Sequence, residues 1–317
     1  MKNILVLGGS GFVGRSVCEK LVQRNGGGSG RIVLPTRHPM RASDLWTLPT
    51  MEITPCDVHD DTQLQRVLSG CHAVINLVAI LHGSDAEFQR VNVDLPRRLA
   101  AASAAASVLR MVHVSALGAG ASAPSRYQRS KAAGEAALQA GSIAPTVLRP
   151  SVMFGEHDRF MNRFAALQRV FPLFPLACAD ARFQPVWVED VAAAIVQALD
   201  TPSCAGETIE CVGPRVYTLK DMVQLAGRWA GCERPVIALP APLGRLQAML
   251  LELLPGDPPM SRDNIDSMKT DNVAGGTLPG LERFGISPRA MDSVMPGVLG
   301  GRDGPARLEP WRALARR

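Results

Sequence analysis

Two tyrosines and four tryptophans in 317 residues leave no interleaving of aromatic and basic side chains of the kind that stacks nucleobases. Nor is there a block of like charge. The formal net charge is +5, but lysine and arginine are scattered among the acids, and the clusters Arg97-Arg98 and Arg316-Arg317 are short. Nucleic acid is therefore not an expected partner. The seven cysteines (Cys18, Cys56, Cys71, Cys178, Cys204, Cys211, Cys232) include no C-x-x-C pair. An odd number so dispersed suggests neither a disulfide framework nor a zinc site, so free thiols in a reducing compartment are expected. His82, His113 and His157 are isolated, without metal-ligand spacing, and no metal is assigned. The most apolar stretch, 73–81, is far too short to cross a membrane, and the first residues run directly into a strand rather than a cleavable signal. A cytoplasmic protein is expected, with peripheral contact at the inner face of a membrane as the alternative.

What is present is ordinary globular composition, 46% hydrophobic and 20% charged, which excludes a disordered or fibrous chain. Strand-like and helix-like runs alternate through the first half, the pattern of a parallel sheet flanked by helices. Residues 2–7, 31–36, 51–56, 73–81, 109–115 and 146–149 read as strands, and the nearly continuous apolar runs among them suit strands covered on both faces. Residues 12–24 place Val13, Val17 and Leu21 on one helical face. Residues 86–106 read as an alanine-rich helix that Pro96 kinks or restarts, and 127–140 as another helix. The insert 25–30, NGGGSG, reads as a flexible surface loop.

Beyond Pro150 prolines and aromatics rise. There 185–199 reads as a turn into a helix, 207–212 as a strand, and 218–227 as a helix opened by a Thr218/Asp221 capping box. Residues 243–254 and 261–272 read as two more helices, and the Gly-, Pro- and Arg-rich stretch from Gly275 as loosely ordered. The expected fold class is α/β: a Rossmann-type doubly wound parallel sheet in 1–150 and a smaller, mostly helical lobe in 151–317, from which 186–213 returns to pack on the sheet. Two apolar sets in the lobe read as core packing: Phe160, Phe164, Leu167, Phe171, Leu173, Phe174 and Leu176, and then Leu243, Leu246, Met249, Leu250, Leu253 and Leu254. The alternatives are a pocket for a prenyl chain or quinone, or a helix lying on a membrane or partner.

The chemistry begins at Gly8-Gly9-Ser10-Gly11-Phe12-Val13-Gly14, which satisfies G-x-G-x-x-G from Gly9 and G-x-x-G-x-x-G from Gly8. It follows a strand and opens a helix, the context that makes the motif a dinucleotide site. Glycine lets the backbone turn tightly and approach a pyrophosphate, while the helix N-terminus offers free N–H groups to the phosphates. An NAD-selective site usually carries an acid at the end of the second strand; here Thr36-Arg37 stands there, with Arg41 close behind. An arginine pairs with a 2′-phosphate, so NADP(H) is the favoured cofactor and NAD(H) the alternative. Asp57-Val58, after the third strand, is placed to meet the adenine edge, although an aspartate in a loop is often only a turn residue. Tyr127-Gln128-Arg129-Ser130-Lys131 is Y-x-x-x-K, whose ends share a helix face, and a cation beside the phenol is expected to lower its pKa.

With GGSGFVG, Asp57-Val58, Asn76-Leu77-Val78-Ala79, Asn92, YQRSK and Arg149-Pro150 in order, the chain resembles an extended short-chain dehydrogenase/reductase. HVSALGA (113–119), PVWVEDVA (185–192) and SRDNIDSMKTDNV (261–273) are similar to an atypical subgroup that includes the nucleotide-binding accessory subunit of mitochondrial respiratory complex I and its bacterial relatives. The resemblance implies Tyr127 as the acid-base residue and Lys131 as its ribose-holding partner. It implies a cofactor lined by Gly8, Ser10, Gly11, Phe12, Val13 and Gly14, by Arg37, Asp57 and Val58, by Leu77, Val78, Ala79 and Asn92, and by Ser115 and Pro150. One departure stands out: Leu117 occupies the position, two beyond Ser115, where extended enzymes usually carry a hydroxyl that holds the substrate oxygen. Three functions follow from the resemblance. The first is an NADPH-dependent oxidoreductase on a lipophilic carbonyl or quinone-related compound. The second is a silent NADPH-holding accessory or assembly protein for complex I or ubiquinone biosynthesis, with a protein complex as partner. The third is an NADPH-sensing regulator sharing the same binding site.

Overall fold

The computed structural model of the protein describes residues 3–26, 30–253, 256 and 258–300. Seven strands make one parallel sheet: β1 (Asn3–Leu7), β2 (Arg31–Thr36), β3 (Met51–Pro55), β4 (Ala73–Asn76), β5 (Arg110–Val114), β6 (Thr146–Pro150) and β7 (Thr208–Cys211). Their order is β7-β6-β5-β4-β1-β2-β3. The chain therefore winds outward from β1 to β3, then crosses back to build the other half from β4. Such a reversal opens a crevice at the carboxyl ends of β1 and β4, where ligands of doubly wound sheets bind. Every residue of β4 and β5 is buried, which is why these strands read as unbroken apolar runs.

Helices cover both faces. On one, α2 (Asp61–Leu68), α3 (Leu95–Ala105) and α4 (Arg126–Gln139) bury Leu64, Leu68, Leu99 and Leu138 against Leu5, Leu7, Val74 and Met111. On the other lie α1 (Phe12–Arg24) and α5 (Val188–Asp200), bridged by Lys20 and Glu189 at 2.9 Å. These strands and helices, with residues 274–287, form one compact unit of 1–150, 188–212 and 274–287.

Three local departures from the sequence expectations have physical causes. The 73–81 run is strand only to Asn76, because the Asn76 side chain captures the Val78 N–H at 3.1 Å and turns the chain out of the sheet. The 86–106 helix is α-helical at Asp85–Phe88, π-helical at Gln89–Asp94, and α-helical again from Leu95. Pro96, which has no N–H to return to the Asn92 carbonyl, sits just after the widened turn. The Asn92 carbonyl instead lies against α4 at Gly134, where a Cβ would stand 2.1 Å from that oxygen. The stretch from Gly275 to Gly300 is ordered: Pro279 accepts a backbone bond from Glu210, and Leu281, Phe284, Met291, Met295 and Leu299 are buried; residues 301–317 lie outside the described residues. Of the 25–30 insert, residues 27–29 lie outside the described residues.

The second compact unit, 151–187 with 213–273 and the residues from 288, has its own core. Phe154, Met161, Phe174, Phe183, Met222 and Met295 are buried in it, and Phe160 and Phe164 stack edge-on at 4.9 Å. Phe171 and Leu173 of the aromatic set are exposed instead, as are Leu243, Leu246, Met249, Leu250 and Leu253, while Leu254 lies outside the described residues. The helix 261–272 expected from sequence is shorter, Arg262–Ser267, capped by Ser261 as anticipated.

Adding a methyl group at Gly134 drives it into backbone rather than a yielding side chain. Gly134→Ala is expected to destabilise the protein by about 1–3 kcal/mol, read as a lower unfolding midpoint in a thermal melt. An unchanged midpoint would mean that α4 does not rest on the Asn92 carbonyl.

Candidate functional site

The turn after β1 is shaped by contacts that exclude side chains. Gly8 has φ +79°, and a Cβ there would lie 3.2 Å from the Leu77 backbone carbon at the end of β4. A Cβ on Gly14 would lie 2.4 Å from the Gly8 carbonyl oxygen, and Gly11 donates its N–H to that oxygen at 3.0 Å. The chain thus folds onto itself within van der Waals limits and then enters α1. Gly11 is the N-cap, without a side-chain cap hydrogen bond, and no acid stands in the first turn. Phe12 and Val13, at the head of α1, are half-buried. The result is a tight, glycine-rich turn leading into helix N–H groups that no side chain caps, the kind of cradle a pyrophosphate fits.

Around this cradle the structure gathers most of the residues singled out by sequence. Leu77 donates its N–H to Leu7 at 3.0 Å, which ties the two strand ends together, and Val78 and Ala79 follow. Asn92 reaches over from the π-helical turn. Its Oδ1 accepts from Ile80 N–H at 3.2 Å, and its Nδ2 donates to Ser130 Oγ at 2.9 Å. Ser130 in turn donates to the Tyr127 carbonyl at 2.8 Å. Ser130 was not singled out by sequence, although a small polar residue on the buried side of a helix was a signal for it. Farther along the sheet edge, Arg37 is exposed at the end of β2. The Asp57 carboxylate is occupied by its own turn, accepting from His59 N–H at 3.0 Å, while Val58 packs on the core.

Lys131 is the most unusual group: 1% exposed, with its ammonium donating to the Val114 carbonyl at 2.8 Å. Burial pulls its pKa from 10.5 down to about 8, partly opposed by Glu135. Tyr127, one helical turn earlier, behaves contrary to expectation: burial pushes its phenol above the ordinary value, and Lys131 does not lower it. The ammonium is engaged with the β5 backbone instead. Beside it His113 is fully buried, its Nδ1 facing Asn76 Nδ2 at 3.2 Å. Asn76 Oδ1 already accepts from Val78, so Nδ2 is the donor and the neutral ring carries its proton on Nε2. Burial, then the Lys131 charge, keep that ring neutral.

Two buried polar atoms here have no hydrogen-bond partner, His113 Nε2 and Ser115 Oγ. Buried hydroxyls without a partner also occur at Ser103 and Thr50; Ser115 differs in standing at the carboxyl end of β5, next to the Val114 carbonyl that holds Lys131. Ser115 N–H bonds Leu148 at 2.7 Å, and Pro150 closes β6 beside it. Leu117, at the hydroxyl position of extended enzymes, is buried and donates its N–H to the Pro150 carbonyl at 2.9 Å. Its side chain offers nothing to a substrate oxygen. Among the described residues no cluster of His, Cys, Asp or Glu is built to hold a metal, and all seven cysteines are free thiols.

A buried lysine whose pKa falls on folding leaves a pH signature. The unfolded chain holds the proton up to 10.5 and the folded chain only to about 8, so the cost of burying the charge is full below pH 8 and fades between those values. Relative to Lys131→Met, the native protein is expected to gain stability from pH 7 to pH 10 in denaturant titrations. A difference independent of pH would show that the ammonium is not buried as described.

Comparisons with known proteins give the family and the fold. The profile of the NAD dependent epimerase/dehydratase family matches residues 4–211. The mitochondrial NADH dehydrogenase (ubiquinone) 1 alpha subcomplex subunit 9 of Mus musculus is 31% identical over 299 residues, covering 90% of this chain and 77% of that protein. A ceramide reductase of Caulobacter vibrioides is 29% identical over 240 residues, covering 75% of this chain and 74% of its own. The NADPH-dependent quinone oxidoreductase QOR2 of Escherichia coli, solved with NADPH, superposes with a TM-score of 0.72 over 92% of this chain and 97% of that one. Its identity is 20%, a likeness of fold. The chain belongs to the NAD dependent epimerase/dehydratase family, the extended short-chain dehydrogenases/reductases, and has the complex I subunit among its relatives.

Proposed function

We propose that the protein binds NADP(H) and reduces a lipophilic carbonyl or quinone-related compound. The observation that carries this reading is that the glycine-rich turn at 8–14 follows the carboxyl end of β1, while Lys131, on the helix that also bears Tyr127, is anchored at the carboxyl end of β5 in the same sheet. When bound, NADPH would supply a hydride. The chain's own contribution is the proton and the positioning. Burial keeps the Tyr127 phenol protonated through the physiological range, and in a reduction it would be the group that donates a proton to the developing alkoxide. The Lys131 ammonium spends one of its three N–H donors on Val114, leaving two for the ribose hydroxyls. Gly8, Ser10, Gly11 and Gly14 would take the pyrophosphate, Asp57 and Val58 the adenine edge, and Ser115 a polar atom of the nicotinamide half.

The NADP(H) preference rests on charge. Arg37 is exposed just after β2, at the edge where a 2′-phosphate would sit, and no acid stands in the NAD-selecting position. The quinone oxidoreductase solved with NADPH favours the same cofactor, and the ceramide reductase among the relatives favours reduction.

A second reading has its own observation. Leu117 leaves the substrate oxygen without the usual hydroxyl, and loss of one such donor typically costs about 10²–10³ in rate. A protein that holds NADPH structurally, as a subunit or assembly partner of a respiratory complex, would tolerate this, and the complex I relatives favour it.

One measurement tests the cofactor preference and two separate the readings. Arg37→Asp is expected to weaken NADPH binding about tenfold or more by calorimetry while leaving NADH nearly unchanged. Equal losses for both coenzymes would remove the NADP(H) preference. Tyr127→Phe is expected to lower NADPH-driven reduction of quinones or carbonyls by about two orders of magnitude with NADPH affinity preserved. Tight NADPH binding that raises the unfolding midpoint, with no turnover of any such compound, would instead establish the holding role.

A further inference from the structure

In the second compact unit the helix Ala241–Leu251 is packed inside out. The residues it buries are the small ones, Gly244 and Ala248, and a Cβ at Gly244 would come within 2.6 Å of the Ala177 Cβ. Its large apolar residues face away: Leu243, Leu246, Met249 and Leu250 are 52%, 47%, 42% and 56% exposed, and Leu253 just beyond is 78% exposed. At 100° per residue these five positions fall on one side of the helix, opposite the Gly244/Ala248 seam. Gln247 flanks that stripe on one edge and Arg245 on the other.

The stripe continues onto neighbouring backbone. Gln247 Nε2 donates to the Pro175 carbonyl at 3.2 Å, and the strand Phe174–Leu176 pairs in parallel with Val236–Ala238, whose Ile237 is exposed. Phe171 and Leu173, just before that strand, are 52% and 45% exposed. Arg234 Nε fastens the two segments by donating to the Gln168 carbonyl at 3.1 Å. Scattered exposed leucines are ordinary, but a contiguous apolar face of this kind marks an interaction surface.

We propose that this face docks onto an anionic lipid bilayer. Charge identifies the occupant. The two segments that supply it, 160–176 and 234–253, contain Arg163, Arg169, Arg234 and Arg245 against a single carboxylate, Glu252. The carboxylates that follow the helix are engaged in ion pairs: Glu252 with Arg262 at 2.8 Å, and Asp266 with Lys269 at 2.7 Å and with Arg245 itself at 3.4 Å, which leaves the arginines of the face in excess. Leucines on one side of a helix with arginine at the margin suit the acyl–headgroup boundary, where the apolar side chains sink in and guanidinium groups meet lipid phosphates. An isologous dimer through the same face would bring the arginines of two copies together, which disfavours a second copy. Among the described residues no helix is long and apolar enough to cross a membrane, so the contact is one of lying on the surface. Nothing in this inference depends on the proposed catalytic role.

The test is flotation of the full chain with vesicles of phosphatidylcholine and phosphatidylglycerol in roughly two-to-one proportion, against phosphatidylcholine alone. The protein is expected to float with the anionic vesicles, more weakly with the neutral ones, and less as salt is raised. Leu246→Glu/Leu250→Glu is expected to cut the floating fraction about tenfold or more, with an unchanged unfolding midpoint and NADPH affinity. Leu246→Phe should float as well as the native chain. The proposal is overturned if the native protein stays at the bottom with anionic vesicles, or if the double variant floats equally. It is also overturned if sizing shows a dimer that the double variant splits while no lipid is bound, since a second copy would then cover the face.

Discussion

The carbonyl oxygen of Gly8 is the point on which the binding unit is built. It accepts from Gly11 and lies where a Cβ on Gly14 would stand, while Gly8 itself presses on the Leu77 backbone. Three pieces of main chain meet there with no side chain between them. Any residue larger than glycine at position 14 would separate the turn from the helix it opens. The same closeness brings the carboxyl ends of β1 and β4 together and leaves the first N–H groups of α1 uncovered. The anion cradle and the tight sheet edge are thus one feature.

From that edge, order is passed to the chemical groups by polar side chains in a protein interior. Asn92 links the loop after β4 to Ser130, and Ser130 holds the carbonyl of Tyr127. Lys131 fixes the same helix to β5 through Val114. Buried polar networks of this kind specify one arrangement because each member left unpaired is costly. Two of the buried atoms without a hydrogen-bond partner, His113 Nε2 in β5 and Ser115 Oγ just after it, flank the Val114 carbonyl that holds Lys131.

Much of this was legible in the sequence, for identifiable reasons. Strands covered on both faces admit only apolar residues, so β4 and β5 announce themselves, and the glycines at 8, 11 and 14 are explicable only by backbone approach. What was hidden depended on tertiary context. The Tyr127–Lys131 spacing gives a shared helix face but not where the ammonium points, and the Val114 carbonyl takes it. In 275–300 the apolar residues Leu281, Phe284, Met291, Met295 and Leu299 are diluted by proline, glycine and arginine, so the composition masks a buried spacing. The leucines of 243–253 follow a helical period that reveals one apolar face without saying which side is buried. The Gly244/Ala248 pair, four residues apart, was the available signal that the small side packs inward.

The most direct measurement is a crystal structure of the protein grown with NADPH. The account predicts pyrophosphate oxygens within hydrogen-bonding distance of the N–H groups that open α1, and the nicotinamide ribose against Lys131. Electron density for the coenzyme away from the 8–14 turn, or a ribose that does not approach Lys131, would contradict it.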